Sequence, residues 1–258
     1  MRIVPLGING FVPTFGRHTT SFLVLISRKA ILLDAGTGIA RLFDAGLRNA
    51  VGAFEELHII LSHYHLDHII GLCYLPGILP GMPVFVHAPA PPLVEADPHR
   101  ALTTLINPPF LSLPLQQFPM PLNLIPITGN RFDIGNLSIH VRAQTHPGGS
   151  IGIRIDDLVF MTDTIVDDNA VPFVIGANLL LHEVWLSDDE VQNNADDLAG
   201  HSFASGAVKI ASDAHVRTVW PIHLHPQKTA SQIETLVESM QRDKLKAICP
   251  SEGTIYDF

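Results

Sequence analysis

The chain has 258 residues, 47% of them hydrophobic, and its 16 lysines and arginines against 25 aspartates and glutamates give a formal net charge of -9. That length suits one large α/β core, and the acidic balance argues against a broad basic footprint for nucleic-acid backbones. Two cysteines, Cys73 and Cys249, are too few for a disulfide framework or a thiolate zinc site and read as buried apolar thiols in a reducing compartment, whereas 14 histidines is an unusual count.

The first residues lack a long apolar signal core, and no run approaches the roughly 20 apolar residues that span a bilayer, so a cytoplasmic protein without a membrane partner is expected. Short strands are predicted over 2–6 and 20–26, with a Gly/Pro loop over 7–17 between them. A strand over 30–34 ends in Asp34 and a glycine-rich turn; Asp34 can orient a nearby histidine, and can equally cap the helix expected over 39–50. A buried strand over 57–62 then runs into a stretch that places His63, His65, Asp67 and His68 within six residues. In an extended loop, residues two apart point the same way, so His63 and His65 suit one ion. Asp67 and His68 open the next helical segment, where their side chains diverge toward a second ion.

From 71 to 126 the chain is Pro-rich and apolar, and such prolines forbid long regular elements. One strand over 83–87 and one short helix near 97–106 are the most expected there, and the segment reads either as a lid or as packing. His18, His58, His87, His99 and His140 read as structural residues without partners in a site. Alternation over 132–142 predicts a hairpin with a Gly-Asn turn, leading to His146 on a glycine-rich turn, a good third ligand for the first ion. A second hairpin, 150–155 with 158–161, ends near Asp163, whose two oxygens suit bridging two cations. A buried strand over 178–185 carries His182 and Glu183. A buried carboxylate needs a cationic or hydrogen-bonding partner, for which His201, ahead of a helix over 204–214, is the candidate. A strand over 218–222 delivers His223 to complete the second ion, with His225 lining the site. A helix over 231–245 and a strand over 247–249 close the chain, and no linker interrupts a single domain, 1–258.

The set His63, His65, Asp67, His68, His146, Asp163 and His223 resembles, in identity, order and strand-end placement, the metal motifs of the metallo-β-lactamase-fold hydrolases. That resemblance implies an α/β fold, the four-layer αββα sandwich of two mixed sheets packed face to face with helices outside, holding two divalent metal ions. Flavin di-iron relatives carry Glu where this chain has His65, so Zn2+ is favoured, with Mn2+ and Fe2+ left open. Leu6, Gly7, Gly10, Pro13 and Arg17, the pair His182-Glu183, and Gly200-His201-Ser202 are similar to motifs of the ribonuclease Z-like phosphodiesterases. There the resemblance implies that Glu183 holds His201 and that His201 protonates the leaving oxygen, while Asp67 orients and deprotonates the attacking water. Two departures matter. Only a hairpin's length separates His146 from Asp163, where the transfer-RNA-processing enzymes insert an arm, and Leu224-His-Pro-Gln227 replaces their Arg-Tyr. Transfer RNA is therefore not expected as the main substrate; a small-molecule or short phosphodiester, cyclic-nucleotide-like or a short nucleic acid, is. A carboxylic ester, lactone or amide on the same metals is the alternative, a non-catalytic metal sensor a third reading, and a homodimer is expected by analogy.

Overall fold

Runs such as residues 22–25, 30–33 and 158–161 are apolar throughout, which suits strands covered on both faces. The computed structural model describes residues 1–193 and 200–258, and it builds these runs into two sheets of seven strands, one in each of two compact units. Both are mixed sheets with helices, matching the metallo-β-lactamase α/β sandwich fold.

The first unit comprises residues 1–128 and 251–258. Its strands β1 (Arg2–Gly7), β2 (Ser21–Ile26), β3 (Lys29–Leu33), β4 (Leu57–Ile60), β5 (Val84–Pro89) and β6 (Leu122–Ile127) lie side by side in chain order, and the C-terminal strand Tyr256–Asp257 flanks β1. The sheet is antiparallel from β1 to β3 and parallel from β3 to β6. The helix expected over 39–50 is divided into a 3-10 turn, Thr37–Phe43, and α1 (Ala45–Gly52). Asp44 causes the division, because its side chain accepts from the N–H groups of Gly46 and Leu47 and so starts a new helix. The helix α2 (Leu66–Ile69) carries Asp67 and His68 and passes through another 3-10 turn, Ile70–Tyr74, into α3 (Leu75–Ile78).

Two glycines let the turn that carries Asp67 and His68 lie backbone to backbone against the end of β3. A Cβ on Gly36 would stand 2.4 Å from the Asp67 carbonyl oxygen, and one on Gly71 would stand 2.3 Å from the Gly36 oxygen. The contact is sealed by the Ala35 N–H donating to the His68 oxygen and the Gly71 N–H to the Ala35 oxygen, both at 2.7 Å.

The Pro-rich segment packs down. Its helix α4 (Pro98–Leu105) sends Leu102 into the same buried cluster as Leu57, Val84 and Val86, and Ile106 and Met120 join it. Strand β6 goes beyond the sequence expectation; it carries Pro126, tolerated because β6 is an edge strand. Cys73 and Cys249 are half-buried rather than buried, and partial burial raises the Cys73 thiol.

The second unit comprises residues 129–250. Strands β7 (Arg131–Ile134), β8 (Leu137–Gln144), β9 (Ser150–Ile155) and β10 (Leu158–Met161) form an antiparallel meander. Between β9 and β10 stand only Asp156 and Asp157. After α5 (Val171–Val174), strand β11 (Leu179–Glu183) pairs parallel to β10; α6 (Asp188–Asn193) and α7 (Ala204–Asp213) precede β12 (Thr218–Ile222), which pairs parallel to β11. The helix α8 (Ala230–Ser239) is shorter than the span 231–245, and β13 (Lys246–Ala247) stands where a strand over 247–249 was expected.

His58 and His87 have partners after all. Adjacent strands β4 and β5 bring His58 Nδ1 to 3.0 Å from His87 Nε2, and Glu56 Oε1 lies 3.1 Å from His58 Nε2. Burial, then the neighbouring His58, pushes His87 down to about 4 from an ordinary 6.5. Above pH 6.5 the imidazole is neutral in both folded and unfolded chains, so it adds no pH dependence there. Between 6.5 and about 4 the unfolded chain binds a proton that the folded chain refuses, and stability declines as pH falls. His87→Asn is expected to flatten the decline of melting temperature across that window, and an unchanged slope would show that His87 does not cause it.

Candidate metal centre

In the first unit the residues that carry the chemistry converge where β3 and β4 end. Asp34 follows β3 with φ 58°, a left-handed conformation that short polar residues adopt more readily than most. That turn aims its fully buried carboxylate at the histidine loop. Oδ1 accepts from the Ser62 N–H at 2.6 Å, and Oδ2 accepts from the Ser62 hydroxyl and from His68 Nδ1, each at 2.7 Å. Having donated its proton to Asp34, the Ser62 hydroxyl serves as acceptor for His63 Nδ1–H at 3.0 Å. One carboxylate thus sets the tautomer of two histidines and assigns the lone pair to Nε2 on each, the atom a metal would take. The alternative for Asp34, that it caps a helix, is not what the structure shows.

The four motif side chains gather together. The His63 ring centroid lies 4.3 Å from that of His68 and 4.5 Å from that of His65. Asp67 Oδ2 stands 3.2 Å from His68 Nε2, close enough for the two to share one ion. The same Asp67 oxygen accepts the Phe11 N–H at 2.7 Å. His63 and His68 are buried and His65 is exposed, so the cluster opens to solvent on one side.

The second unit repeats the device. Asp163 follows β10 with φ 49° and His223 follows β12 with φ 51°. Asp163 presents Oδ1 3.4 Å from His146 Nε2 and Oδ2 3.3 Å from His223 Nε2, one oxygen to each ring. His146 Nδ1–H donates to the Gly200 carbonyl at 3.1 Å, again leaving the lone pair on Nε2. Burial chiefly lowers the His146 pKa, which favours the neutral, ligating form. Asp163, His201 and His223 each offer a ligand atom, all within 4.8 Å of one another.

Glu183, at the end of β11, is fully buried and fully engaged. Oε1 accepts from the N–H groups of Thr164 at 2.6 Å and Ser202 at 3.1 Å; Oε2 accepts from His201 Nδ1 at 2.8 Å, with His223 Nδ1 at 3.4 Å. Burial pushes this carboxyl up, but the hydrogen bonds from His201 and His223 outweigh it and hold the group below its ordinary value. His182 turns away from this chemistry: its Nδ1–H donates to the Glu183 carbonyl at 2.8 Å, and burial keeps the ring neutral.

Sequence reasoning did not single out Trp185. Its indole stacks on His201 with centroids 4.8 Å apart and an interplanar angle of 22°, and meets the edge of His225 at 4.5 Å, so His225 packs on the tryptophan. The Phe11 N–H and Ser62 were missed as well. Both act through backbone placement or adjacency, and their residue types carry no signal.

The family model described as a beta-lactamase superfamily domain matches residues 29–224, more than half of the chain. The chain belongs to that superfamily. It falls in the metallo-β-lactamase-fold, ribonuclease Z-like branch, and is a metal-dependent hydrolase. A ribonuclease Z of Haloferax volcanii is 24% identical over 311 residues, covering 98% of this chain and 93% of its own. The mitochondrial ribonuclease Z 2 of Schizosaccharomyces pombe is 27% identical over 239 residues and 84% of this chain, yet this chain spans only 33% of that relative's length. Among solved structures, the metallo-β-lactamase fold protein YhfI from Bacillus subtilis matches with a TM-score of 0.75 at 19% identity, over 99% of this chain and 98% of its own. A diphosphatase from the PhnP family matches with a TM-score of 0.72 at 16% identity, over 100% and 97%. These structural likenesses show the fold.

The nitrogen- and carboxylate-rich donor set, with the Nδ1 atoms of His63, His68 and His146 already committed to hydrogen bonds, fits divalent metal ions. Asp34→Asn removes the acceptor that aligns His68 and is expected to weaken metal affinity about 10–100-fold. Competition against a chelator measures it, and an unchanged affinity would show that Asp34 does not orient the ligands.

Proposed function

We propose that His63, His65, Asp67, His68, His146, Asp163 and His223 together hold two divalent ions, zinc being favoured by the imidazole-rich set, and that the whole chain works as one phosphodiesterase domain. When bound, the ions supply Lewis acidity for the non-bridging phosphate oxygens and make a water acidic enough to attack near neutral pH. The rest of the work falls to side chains.

Asp67, held at Oδ2 by the Phe11 N–H, orients the attacking water and takes up its proton. His201 donates a proton to the leaving oxygen. The observation that carries this reading is the 2.8 Å contact from His201 Nδ1 to the buried Glu183, which fixes the orientation of the ring. A phosphodiester that releases an alkoxide needs such an acid, whereas one that releases a stable phenolate needs it much less.

A small or short phosphodiester is the proposed substrate. The net charge of -9 and the two-residue connection between β9 and β10 support it over transfer RNA. Among the described residues no helix is long and apolar enough to cross a membrane.

His201→Ala should lower kcat on a diester with an alkyl or ribose leaving group about 10²–10⁴-fold and on bis-p-nitrophenyl phosphate far less. Equal losses on both substrates, or no loss with full metal content, would remove His201 from the acid role.

A further inference from the structure

Beside the histidine loop, within the first unit, lies a cavity of about 740 Å³. Its apolar lining includes Tyr64, Leu66, Leu105 and Phe110, and its polar lining includes Glu95 and Arg100. The size suits a small-molecule site, and so does the combination of apolar walls with a few polar groups. Leu66 stands in the chain between His65 and Asp67, so the cavity begins one residue from the metal motif. Leu66 is 58% and Phe110 73% exposed, two large apolar side chains presented to an open space. Tyr64 is fixed, its hydroxyl donating to the Pro89 carbonyl at 2.5 Å, and Asp97 is occupied as the cap of α4, accepting the Arg100 N–H at 2.8 Å. Among the described residues the side chains of Glu95 and Arg100 have no hydrogen-bond or ion-pair partner.

From this arrangement we infer that the cavity is a nucleobase pocket, so that the substrate is a nucleoside phosphodiester. The inference rests on the phosphodiesterase reading for the scissile bond, but not for binding in the pocket. A flat ring satisfies both halves of the lining: its faces cover Phe110 and Leu66, and its edge offers N–H donors to Glu95 and acceptors to Arg100. An acyl chain would cover the apolar walls but would draw Glu95 and Arg100 out of water with nothing to pair them. Guanine fits best, since its adjacent N1–H and N2–H groups offer a carboxylate two donors and its O6 and N7 offer a guanidinium two acceptors.

The test is calorimetric binding of guanosine 5′-monophosphate, ribose 5-phosphate and octanoate to the zinc-loaded protein and to its Phe110→Ala and Arg100→Ala variants. Phe110 and Arg100 are both exposed, so neither truncation removes a buried group. Guanosine monophosphate is expected to bind at least tenfold more tightly than ribose 5-phosphate, and about tenfold of that preference should vanish in Phe110→Ala. Equal affinity for the two phosphates, no measurable binding of either at millimolar concentration, or a preference for octanoate lost in Phe110→Ala would each overturn the pocket. The two readings separate cleanly. Base-dependent binding without diester hydrolysis would sink the phosphodiesterase reading and keep the pocket. Diester hydrolysis with base-independent binding would do the reverse.

Discussion

Two buried carboxylates organise this molecule's chemistry, one in each unit. A carboxylate out of water is costly unless its oxygens are filled with donors. Asp34 meets that requirement with a backbone N–H, a hydroxyl and an imidazole. Glu183 meets it with two backbone N–H groups and His201, with His223 nearby. In both cases the groups that satisfy the carboxylate are candidate metal ligands or the proposed acid, or their immediate neighbours. The requirement for pairing inside the fold and the requirement for orientation at the site are therefore met by the same hydrogen bonds. Loosening either carboxylate would misplace several functional side chains at once.

The backbone contributes a second constraint. Asp34, Asp163 and His223 each sit just past a strand with positive φ, between 49° and 58°. Such conformations cost of order 1–3 kcal/mol in non-glycine residues and persist where surrounding structure enforces them. The sheets supply that enforcement, since β3, β10 and β12 are paired on both sides. The close approach at Gly36 and Gly71 extends the same rigidity to the turn carrying Asp67 and His68.

Much of this was legible in the sequence, for identifiable reasons. The metal motif could be read because four strong ligand types in six residues are chemically conspicuous. The strands carrying Asp163, Glu183 and His223 could be read because their apolar runs are uninterrupted, and the Glu183–His201 pairing could be anticipated because a buried carboxylate needs a donor. The choice between an orienting and a capping Asp34 could not, since it depends on where another part of the chain brings His68. The partnership of His58 with His87 depends on the register between β4 and β5, and the split at Asp44 on a cap competing with a continuous helical pattern. Strand β6 was hidden by its proline, and Trp185 by a role that exists only through packing.

Placing the reactive side chains where strands end also divides the labour of change along the chain. The sheets hold the geometry of the site, while the connections leaving them are free to differ in length. The turn between β9 and β10 is only two residues long and lies between His146 and Asp163 in the chain. A fold built this way can exchange what it grips without redesigning how it cuts, so the reach of such an enzyme is written in its loops and its chemistry in its strand ends.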